Sequence, residues 1–486
     1  MCCCTDAPRR PRPDGHARRK SVPEHECAFT SSQFSRTPLS ELKIISRHAI
    51  TVLVGQLAVM AFGVTDTIVA GRYSDASLAA LSVGSAIFIS VFIALMGVLQ
   101  ALLPVWARLH GARQFPQVGQ SFRQALYLCA FTIVVGTGLL LSPHALLRWT
   151  EVPLALRFEV ERYLAVLALA LAPALLFRMY STLNQSLGRP FMVTWLQIGS
   201  LAVKVPLSIW FAFGGFGLEP QGAVGCAWAT LVVNYGLLGV ALWMLRTQDL
   251  YRPYAIWQKL EAPRWREIAA FARLGIPGGL AIMVEITSFT LMALFIARLG
   301  VIASASHQIA SNLTGVLYMV PLSIAIAASS RVSYWLGAGD ANKASGAIRL
   351  GFQMVVSVSC ILCTTLFVAR GWLATVYART PEVVAMAVPL LAWVAGYHFF
   401  DGLQAMCVFF LRCYSVVIAP LIVYCVLLWG VGLTGGYLLA YQGLGPWSAT
   451  ASPAAFWATS VIALGATALA FLAILWRVMK RDQRPG

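Results

Sequence analysis

Residues 274–297 read LGIPGGLAIMVEITSFTLMALFIA, an apolar run in which Glu285 is the only side chain that ionises. A helix needs about 20 predominantly apolar residues to cross the hydrocarbon core of a bilayer. This run therefore predicts a transmembrane helix. Twelve segments of the chain meet that length. They cover approximately residues 44–69, 77–105, 119–141, 160–186, 190–213, 222–245, 268–298, 302–335, 346–369, 383–412, 416–440 and 456–478.

The composition excludes an ordinary soluble protein. Of 486 residues, 59% are hydrophobic and only 11% are charged, whereas soluble domains average about 25% charged residues. The lipid bilayer is therefore the expected partner of this surface. The net charge of +17 does not indicate nucleic-acid binding, because most basic residues lie in the terminal segments and in the connections between apolar runs. The cysteines form no disulfide framework. Cys2, Cys3 and Cys4 are candidates for lipid modification, and a mis-assigned start codon or a disordered tail is the alternative interpretation.

The basic residues also predict the orientation. With the N-terminus inside, about 28 of the 36 Lys and Arg residues fall on the cytoplasmic side and about seven fall outside. Such a bias places both termini in the cytoplasm. The Ala-, Arg- and Leu-rich composition is typical of a bacterial inner-membrane protein, here of the multi-pass type.

The chain contains a parallel repeat of six helices. The end of the second helix and its loop, LHGARQFPQVGQ, resembles the end of the eighth, LGAGDANKA, so that Gly111 and Gly337 align. We therefore predict an all-α integral membrane protein with twelve helices in two lobes that rock as rigid bodies. The predicted units are a disordered cytoplasmic tail (1–43), the N-lobe (44–246), an inter-lobe loop (247–266), the C-lobe (267–478) and a cytoplasmic tail (479–486).

Four ionisable residues lie deep in apolar segments, where each is costly and hence a functional candidate. They are Asp66, Lys204, Glu285 and Asp401. Tyr397 precedes Asp401 by four residues and shares its helical face. Two carboxylates and a phenol oxygen suit sodium, a hard cation. They equally suit a proton, because two nearby carboxylates do not both ionise cheaply in a medium of low dielectric constant. A structural, hydrogen-bonded acid is the alternative interpretation.

Other polar residues of the helices are weaker candidates. Gln56, Gln308 and Asn312 are candidates for a substrate cavity, although interhelical hydrogen bonding alone would account for the last two. His398 is interpreted as a core histidine with satisfied nitrogens. Metal-ligand spacings, phosphate-binding loops and nucleotide motifs are absent from the sequence. We therefore expect a transporter and not an enzyme, without a cofactor, driven by a sodium or proton gradient.

At these residues the chain resembles the multidrug and toxic compound extrusion (MATE) family, NorM-like branch. The resemblance covers about residues 42–478. It is carried by GQLAVMAFGVTDTIVAGR, LAALSVGSAIF and LPVWARLHGA in the first half, and in the second by RLGIPGGLAIMVEITSF, by SASHQIASNLTGVLYMVPLSIAIAASSRVSYWLGAGDANKA and by the segment around Tyr397 and Asp401. It implies a V-shaped bundle that exports organic cations and amphipathic drugs in exchange for sodium or protons. It also implies that Glu285, Tyr397 and Asp401 form a C-lobe coupling site, and that Asp66 is the acid of the N-lobe.

Two positions depart from the pattern of the family. Thr51 stands where a proline is common in the first helix. Lys204 and Ser208 stand in the fifth helix where Asn, and then Asn or Asp, typically face the acid of the first helix. We therefore hypothesise a buried Asp66–Lys204 pair that leaves coupling to the C-lobe. A lipid-linked glycan flippase of related fold is the alternative function, and a membrane-embedded enzyme is a more remote one. We expect the protein to be a monomer that acts on small-molecule drugs.

Overall fold

The structure is a computed structural model that describes residues 38–142, 154–215, 217–378, 380–443 and 448–482. In these ranges it contains helices and one isolated bridge, between Gly215 and Leu218. Twelve helices are long and apolar enough to cross a membrane, which confirms the predicted number. They are α1 Pro38–Tyr73, α2 Asp75–Gly111, α3 Phe115–Leu141, α4 Leu154–Ser186, α5 Phe191–Phe213, α6 Gly222–Thr247, α7 Trp265–Ala297, α8 Val301–Gly337, α9 Ala341–Tyr377, α10 Pro381–Cys413, α11 Ile418–Tyr441 and α12 Pro453–Asp482.

Helix α1 begins earlier than the apolar pattern predicts. It starts at Pro38, six residues before the predicted start and inside the segment 1–43 for which we expected disorder. Proline is favoured in the first turn of a helix, where its missing N–H has no partner to lose. The Glu41 carboxylate then accepts two hydrogen bonds from Arg331, at 3.0 and 2.6 Å, which fix the first turn against α8. Cys2, Cys3 and Cys4 lie outside the described residues.

Two helices are irregular for identifiable reasons. In α2 the helix loosens at Ala101 and Leu102 and resumes at Leu103, because Pro104 has no N–H to donate to the carbonyl one turn earlier. In α11 residues Cys425–Thr434 form a π-helix. Such segments are rare and often lie at functional sites. No pattern in the sequence predicts this one.

The apolar core is divided in two, but not at the loop between the lobes. One cluster of buried residues belongs to α1–α6 and the beginning of α7, and the other mainly to α7–α12. Helix α1 takes part in both. Its first half contributes Ile45, Ala49 and Val52 to the C-lobe core, while Val69 and Ala70 near its end belong to the N-lobe core. Helix α1 therefore spans the two lobes.

The lobes approach most closely at one end of the bundle, which we call the basic end. It holds the described chain ends, Pro38 and Asp482, and the five connections that follow the even-numbered helices, three of which contain arginine. A Cβ atom added at Gly111 would overlap the Tyr334 carbonyl oxygen, and one added at Gly337 would overlap that of Arg108. The aligned glycines of the repeat thus make reciprocal contacts between α2 and α8. Only glycine permits this approach.

The segment between the lobes is fixed on α3. The Glu261 carboxylate accepts a hydrogen bond from Arg123 at 2.7 Å, and Gln124 donates to the Ala262 carbonyl while accepting from the Arg264 N–H. The hydrogen bond from Arg123 lowers the pKa of Glu261 below its ordinary value. These contacts attach the inter-lobe segment to the N-lobe.

Candidate functional site

Glu285 and Asp401 are brought together near the middle of the C-lobe. Glu285 lies on α7 and Asp401 on α10, and the Gln404 amide donates to both carboxylates, at 3.5 and 3.0 Å respectively. Asp401 is 2% exposed and Gln404 is fully buried. One amide nitrogen within reach of two acids on different helices makes this a single site. It carries two carboxylates in a medium of low dielectric constant.

Gln404 is the residue of this site that the sequence interpretation missed. Its Nε2 faces the two acids, and its Oε1 accepts a hydrogen bond from the Tyr424 hydroxyl of α11. The three helices α7, α10 and α11 are thereby joined through one side chain. Gln404 follows Asp401 by three residues, which places it on the same helical face. That spacing was the available signal.

Tyr397 shares a small cavity with Glu285. The cavity has a volume of about 20 Å³ and is also lined by Ser288, Phe289 and Ser460. The volume suits a single water molecule or a small ion. The Ser288 hydroxyl has no hydrogen-bond partner among the described residues. Carboxylate, phenol and hydroxyl oxygens thus face the same space, and such ligands suit hard cations. Within the described ranges, no cluster of His, Cys, Asp and Glu fits a metal ion.

The aromatic wall of this cavity holds the Tyr397 ring in place. The ring makes edge contacts with Phe289 at 5.6 Å and with Trp457 at 5.5 Å between centroids. Leu428 and Gly432 of the α11 π-helix also line the cavity. Rigid aromatic packing fixes the phenol beside Glu285. Neither Asp401 nor Gln404 lines this cavity, and Asp401 is linked to Glu285 by the Gln404 amide.

Two buried guanidinium groups are not distinguished by the sequence pattern. Arg412 on α10 is 4% exposed, donates to the Gly278 carbonyl at 3.4 Å and leaves Nη1 without a partner among described residues. Arg178 on α4 is 7% exposed, and its Nε and Nη2 have no partner in the described chain. The count of cytoplasmic basic residues groups both with the loop residues. Arg412 adds a positive charge to the lobe that holds two acids.

Asp66 and Lys204 form the ion pair that the sequence suggests. The Lys204 ammonium lies 2.8 Å from Asp66 Oδ1, and the Ser208 hydroxyl donates to the same oxygen at 3.1 Å. Lys204 also donates to the Cys226 carbonyl at 2.9 Å and to the Thr230 hydroxyl at 2.6 Å. An ammonium group has three N–H donors. All three have oxygen partners here, so Lys204 occupies the position that a free cation would take beside Asp66.

The remaining candidates are dispersed. Gln308 donates to Asn312 at 3.1 Å, one turn apart on α8, and both side chains are exposed. Gln56 is half-buried on α1 and makes no side-chain hydrogen bond to any described residue. The interpretation of His398 as a satisfied core residue is wrong, because the ring is fully buried but neither nitrogen has a partner in the described part of the chain. Burial has removed this ring from water without supplying a hydrogen-bonding group.

The chain matches one sequence family over most of its membrane region. The MatE family matches residues 52–210 and 277–438. A relative from Aromatoleum aromaticum, named probable multidrug resistance protein NorM, is 35% identical over 449 residues, which cover 92% of this chain and 97% of the relative. The multidrug resistance protein PmpM of Pseudomonas aeruginosa is 31% identical over 456 residues, which cover 91% of this chain and 92% of PmpM.

Solved structures show the same fold at lower sequence identity. A point mutant of the Vibrio cholerae MATE transporter VcmN superimposes with a TM-score of 0.81 at 17% identity, over 90% of this chain and 98% of VcmN. The eukaryotic MATE transporter AtDTX14 superimposes with a TM-score of 0.80 at 18% identity, over 91% of this chain and 99% of AtDTX14.

Proposed function

The chain belongs to the MatE family, and on that premise we propose that it is a multidrug efflux antiporter that couples export to an ion bound at Glu285 and Asp401. The observation that carries this proposal is the Gln404 amide that bridges the two acids. Glu285 is half-buried and Asp401 is buried, and two carboxylates inside a membrane span need a proton or a cation to offset their charge. Its occupancy therefore depends on the gradient across the membrane.

Space for an ion lies beside Glu285 in the C-lobe, whereas the space beside Asp66 in the N-lobe is filled. Glu285 and Tyr397 line a cavity of about 20 Å³, while Lys204 already fills the oxygen cage around Asp66. We infer that coupling depends on the C-lobe and that the Asp66–Lys204 pair holds α1 against α5. Sodium and proton both satisfy the charge requirement of the site.

The substrate path follows from where the lobes separate. Ser330 of α8 donates to the Gln185 carbonyl of α4 at 2.9 Å, and Arg331 donates to Glu41. These inter-lobe hydrogen bonds, and the glycine contacts between α2 and α8, lie between the middle of the bundle and the basic end. Gln308 and Asn312 lie in the opposite half of α8 with exposed side chains. We infer that they and Gln56 face the cleft between the lobes. The acids favour cationic drugs, and aromatic side chains add cation–π attraction.

The placement of the protein in the cell is inferred from its charges. We infer that the basic end, with both described chain ends, faces the cytoplasm of a bacterium, and that the protein spans the inner membrane as a monomer. Transport on this plan needs no cofactor and no chemical step. About 1.4 kcal/mol of gradient free energy supports each tenfold accumulation of drug.

The test is ethidium transport in everted vesicles, where export appears as uptake into the vesicle. Transport is driven separately by a sodium gradient and by a pH gradient. We expect Glu285→Gln and Asp401→Asn each to abolish the driven component, because each removes one of the two charges. Glu382→Gln is the matched control, since Glu382 lies exposed at the start of the same helix as Asp401. Driven efflux at the wild-type rate in both site variants would contradict the proposal.

A further inference from the structure

A second, larger cavity lies at the basic end, where the two lobes and the inter-lobe segment meet. Its volume is about 460 Å³. Arg47 of α1, Arg189 before α5, Arg331 of α8 and Tyr254 of the inter-lobe segment contribute to its walls. Elements from both lobes thus enclose it. The efflux mechanism proposed above makes no use of this space.

The cavity carries an uncompensated positive charge. No carboxylate is among the residues that line it. The charge of Arg331 is neutralised by Glu41, which accepts two hydrogen bonds from Arg331 and does not itself line the cavity. Arg47 and Arg189 are exposed and form no ion pair with a described residue. Two guanidinium groups therefore face the cavity without an anion.

A buried histidine in the wall also lacks a partner. His48 of α1 lines the cavity and is only 4% exposed. Its Nε2 makes no hydrogen bond to any described residue. A buried polar atom without a partner is uncommon in folded proteins and calls for an explanation, such as an ion that it contacts. An imidazole N–H is a suitable donor to an anion.

The N-terminus of α5 adds to this potential. The helix begins at Phe191, directly after Arg189 and Pro190, and no side chain caps its first turn. Pro190 and Phe191 both line the cavity. Free N–H groups and the helix dipole at such an end favour anions, phosphate in particular. The Arg side chains beside it are suited to the same group, because guanidinium binds phosphate with two parallel hydrogen bonds.

We propose that this cavity binds a phosphate-bearing anion, supplied either by the headgroup of an acidic phospholipid or by a soluble phosphate compound. The volume exceeds what a single phosphate needs and leaves room for the group attached to it. Because the walls come from both lobes, a bound anion joins them at the basic end. By linkage, the ligand stabilises the conformation in which this end is closed. The site would then regulate transport without contacting the drug.

The experiment measures binding to the purified full-length protein by titration calorimetry at fixed ionic strength, set with potassium chloride. One arm uses dihexanoyl phosphatidylglycerol below its micelle concentration, and the other uses inorganic pyrophosphate. Binding of the lipid alone identifies a headgroup site, and binding of pyrophosphate identifies a soluble ligand. We expect Arg47→Gln and Arg189→Gln each to weaken binding by about tenfold, since each removes a charge-assisted hydrogen bond.

Two further variants separate charge from folding. Arg47→Lys keeps the charge and should retain most of the affinity. Arg349→Gln changes an exposed arginine of α9 outside the cavity and should bind as the wild type does. The measurement is repeated in Glu285→Gln, so that a failure of the transport proposal leaves the binding result intact. Absence of binding in both arms, or binding that neither Arg47→Gln nor Arg189→Gln weakens, overturns the proposal.

Discussion

Replacing Lys204 with asparagine removes the ammonium group that lies 2.8 Å from the Asp66 carboxylate. Asp66 is only 9% exposed and retains the hydrogen bond from Ser208. Removing one partner of a buried ion pair typically costs about 3–5 kcal/mol, because the other charge stays buried without compensation. We therefore expect Lys204→Asn to melt at a clearly lower temperature than the wild type in sodium-free buffer at alkaline pH.

The same variant should gain an ion dependence that the wild type lacks at this site. The oxygens that surrounded the ammonium, from Asp66, Cys226 and Thr230, are left facing a vacated position. A sodium ion or a proton can then offset the Asp66 charge. A ligand at a hundred times its dissociation constant adds about 2.7 kcal/mol of stability. Added sodium, or a lower pH that protonates Asp66, should therefore recover much of the loss.

The assay is thermal melting of purified protein followed by tryptophan fluorescence. Sodium chloride is compared with choline chloride at equal ionic strength, and a pH series is recorded separately. The matched control is the double variant Asp66→Asn with Lys204→Asn, which removes both charges and should respond to ions as the wild type does. The C-lobe site is unchanged in all three proteins. If Lys204→Asn responds to sodium and pH no more strongly than the wild type, the lysine does not act as a tethered cation.

Three further substitutions test other contacts. Gln404→Leu leaves buried polar groups without their hydrogen-bond partner, and each such group costs about 1–3 kcal/mol. The ion concentration that gives half-maximal efflux should therefore shift. An unchanged concentration would show that the Gln404 bridge has no coupling role. Gly337→Ala places a methyl group against a backbone oxygen of α2. Such overpacking costs about 1–3 kcal/mol, so efflux should fall. Gly346 has open space around it, so the control variant Gly346→Ala should transport at the wild-type rate. Because Arg123 lowers the pKa of Glu261, their contact stabilises the protein at neutral pH, and this stabilisation is lost as the pH falls through the lowered pKa. In Glu261→Gln the melting temperature should therefore fall less steeply with decreasing pH over this range. An unchanged dependence on acid pH would show that the contact does not contribute to stability.

The number and order of the helices can be predicted from the sequence because each membrane-spanning helix is a long, continuous run of apolar residues. Apolar length predicts twelve spans, and the aligned Gly111 and Gly337 predict the parallel repeat, which the structure shows as reciprocal contacts. Acids in apolar runs are conspicuous for the same reason, so the sequence alone makes Glu285 and Asp401 candidates, and the structure brings them together at Gln404. These signals need no knowledge of how the helices pack.

The rest depends on contacts between helices, which periodicity does not encode. Gln404 shares a face with Asp401, but its role emerges only when Glu285 from α7 and Tyr424 from α11 are placed beside it. Arg412 lies near a helix end, where a count of basic residues cannot distinguish a loop arginine from a buried one. The π-helix of α11 likewise contacts α7, where the Trp429 ring donates to the Val284 carbonyl at 3.3 Å, and the sequence of α11 does not indicate this contact.

Helix α1 limits how the two halves can move. It is a continuous rod of 36 residues, clamped in the C-lobe by Ile45, Ala49 and Val52 and in the N-lobe by Val69 and Ala70. A swing that parts the halves at the basic end must either bend this rod or extract its first turns. Extraction removes apolar side chains from the protein core. Where water replaces the core, this costs about 1.5–3 kcal/mol for each Ile or Val side chain. Beyond its first residue the rod contains no proline that would let it fold at low cost. We therefore expect α1 to oppose opening of the basic end, so that the free energy of a binding event has to offset the cost of bending α1 or extracting its first turns.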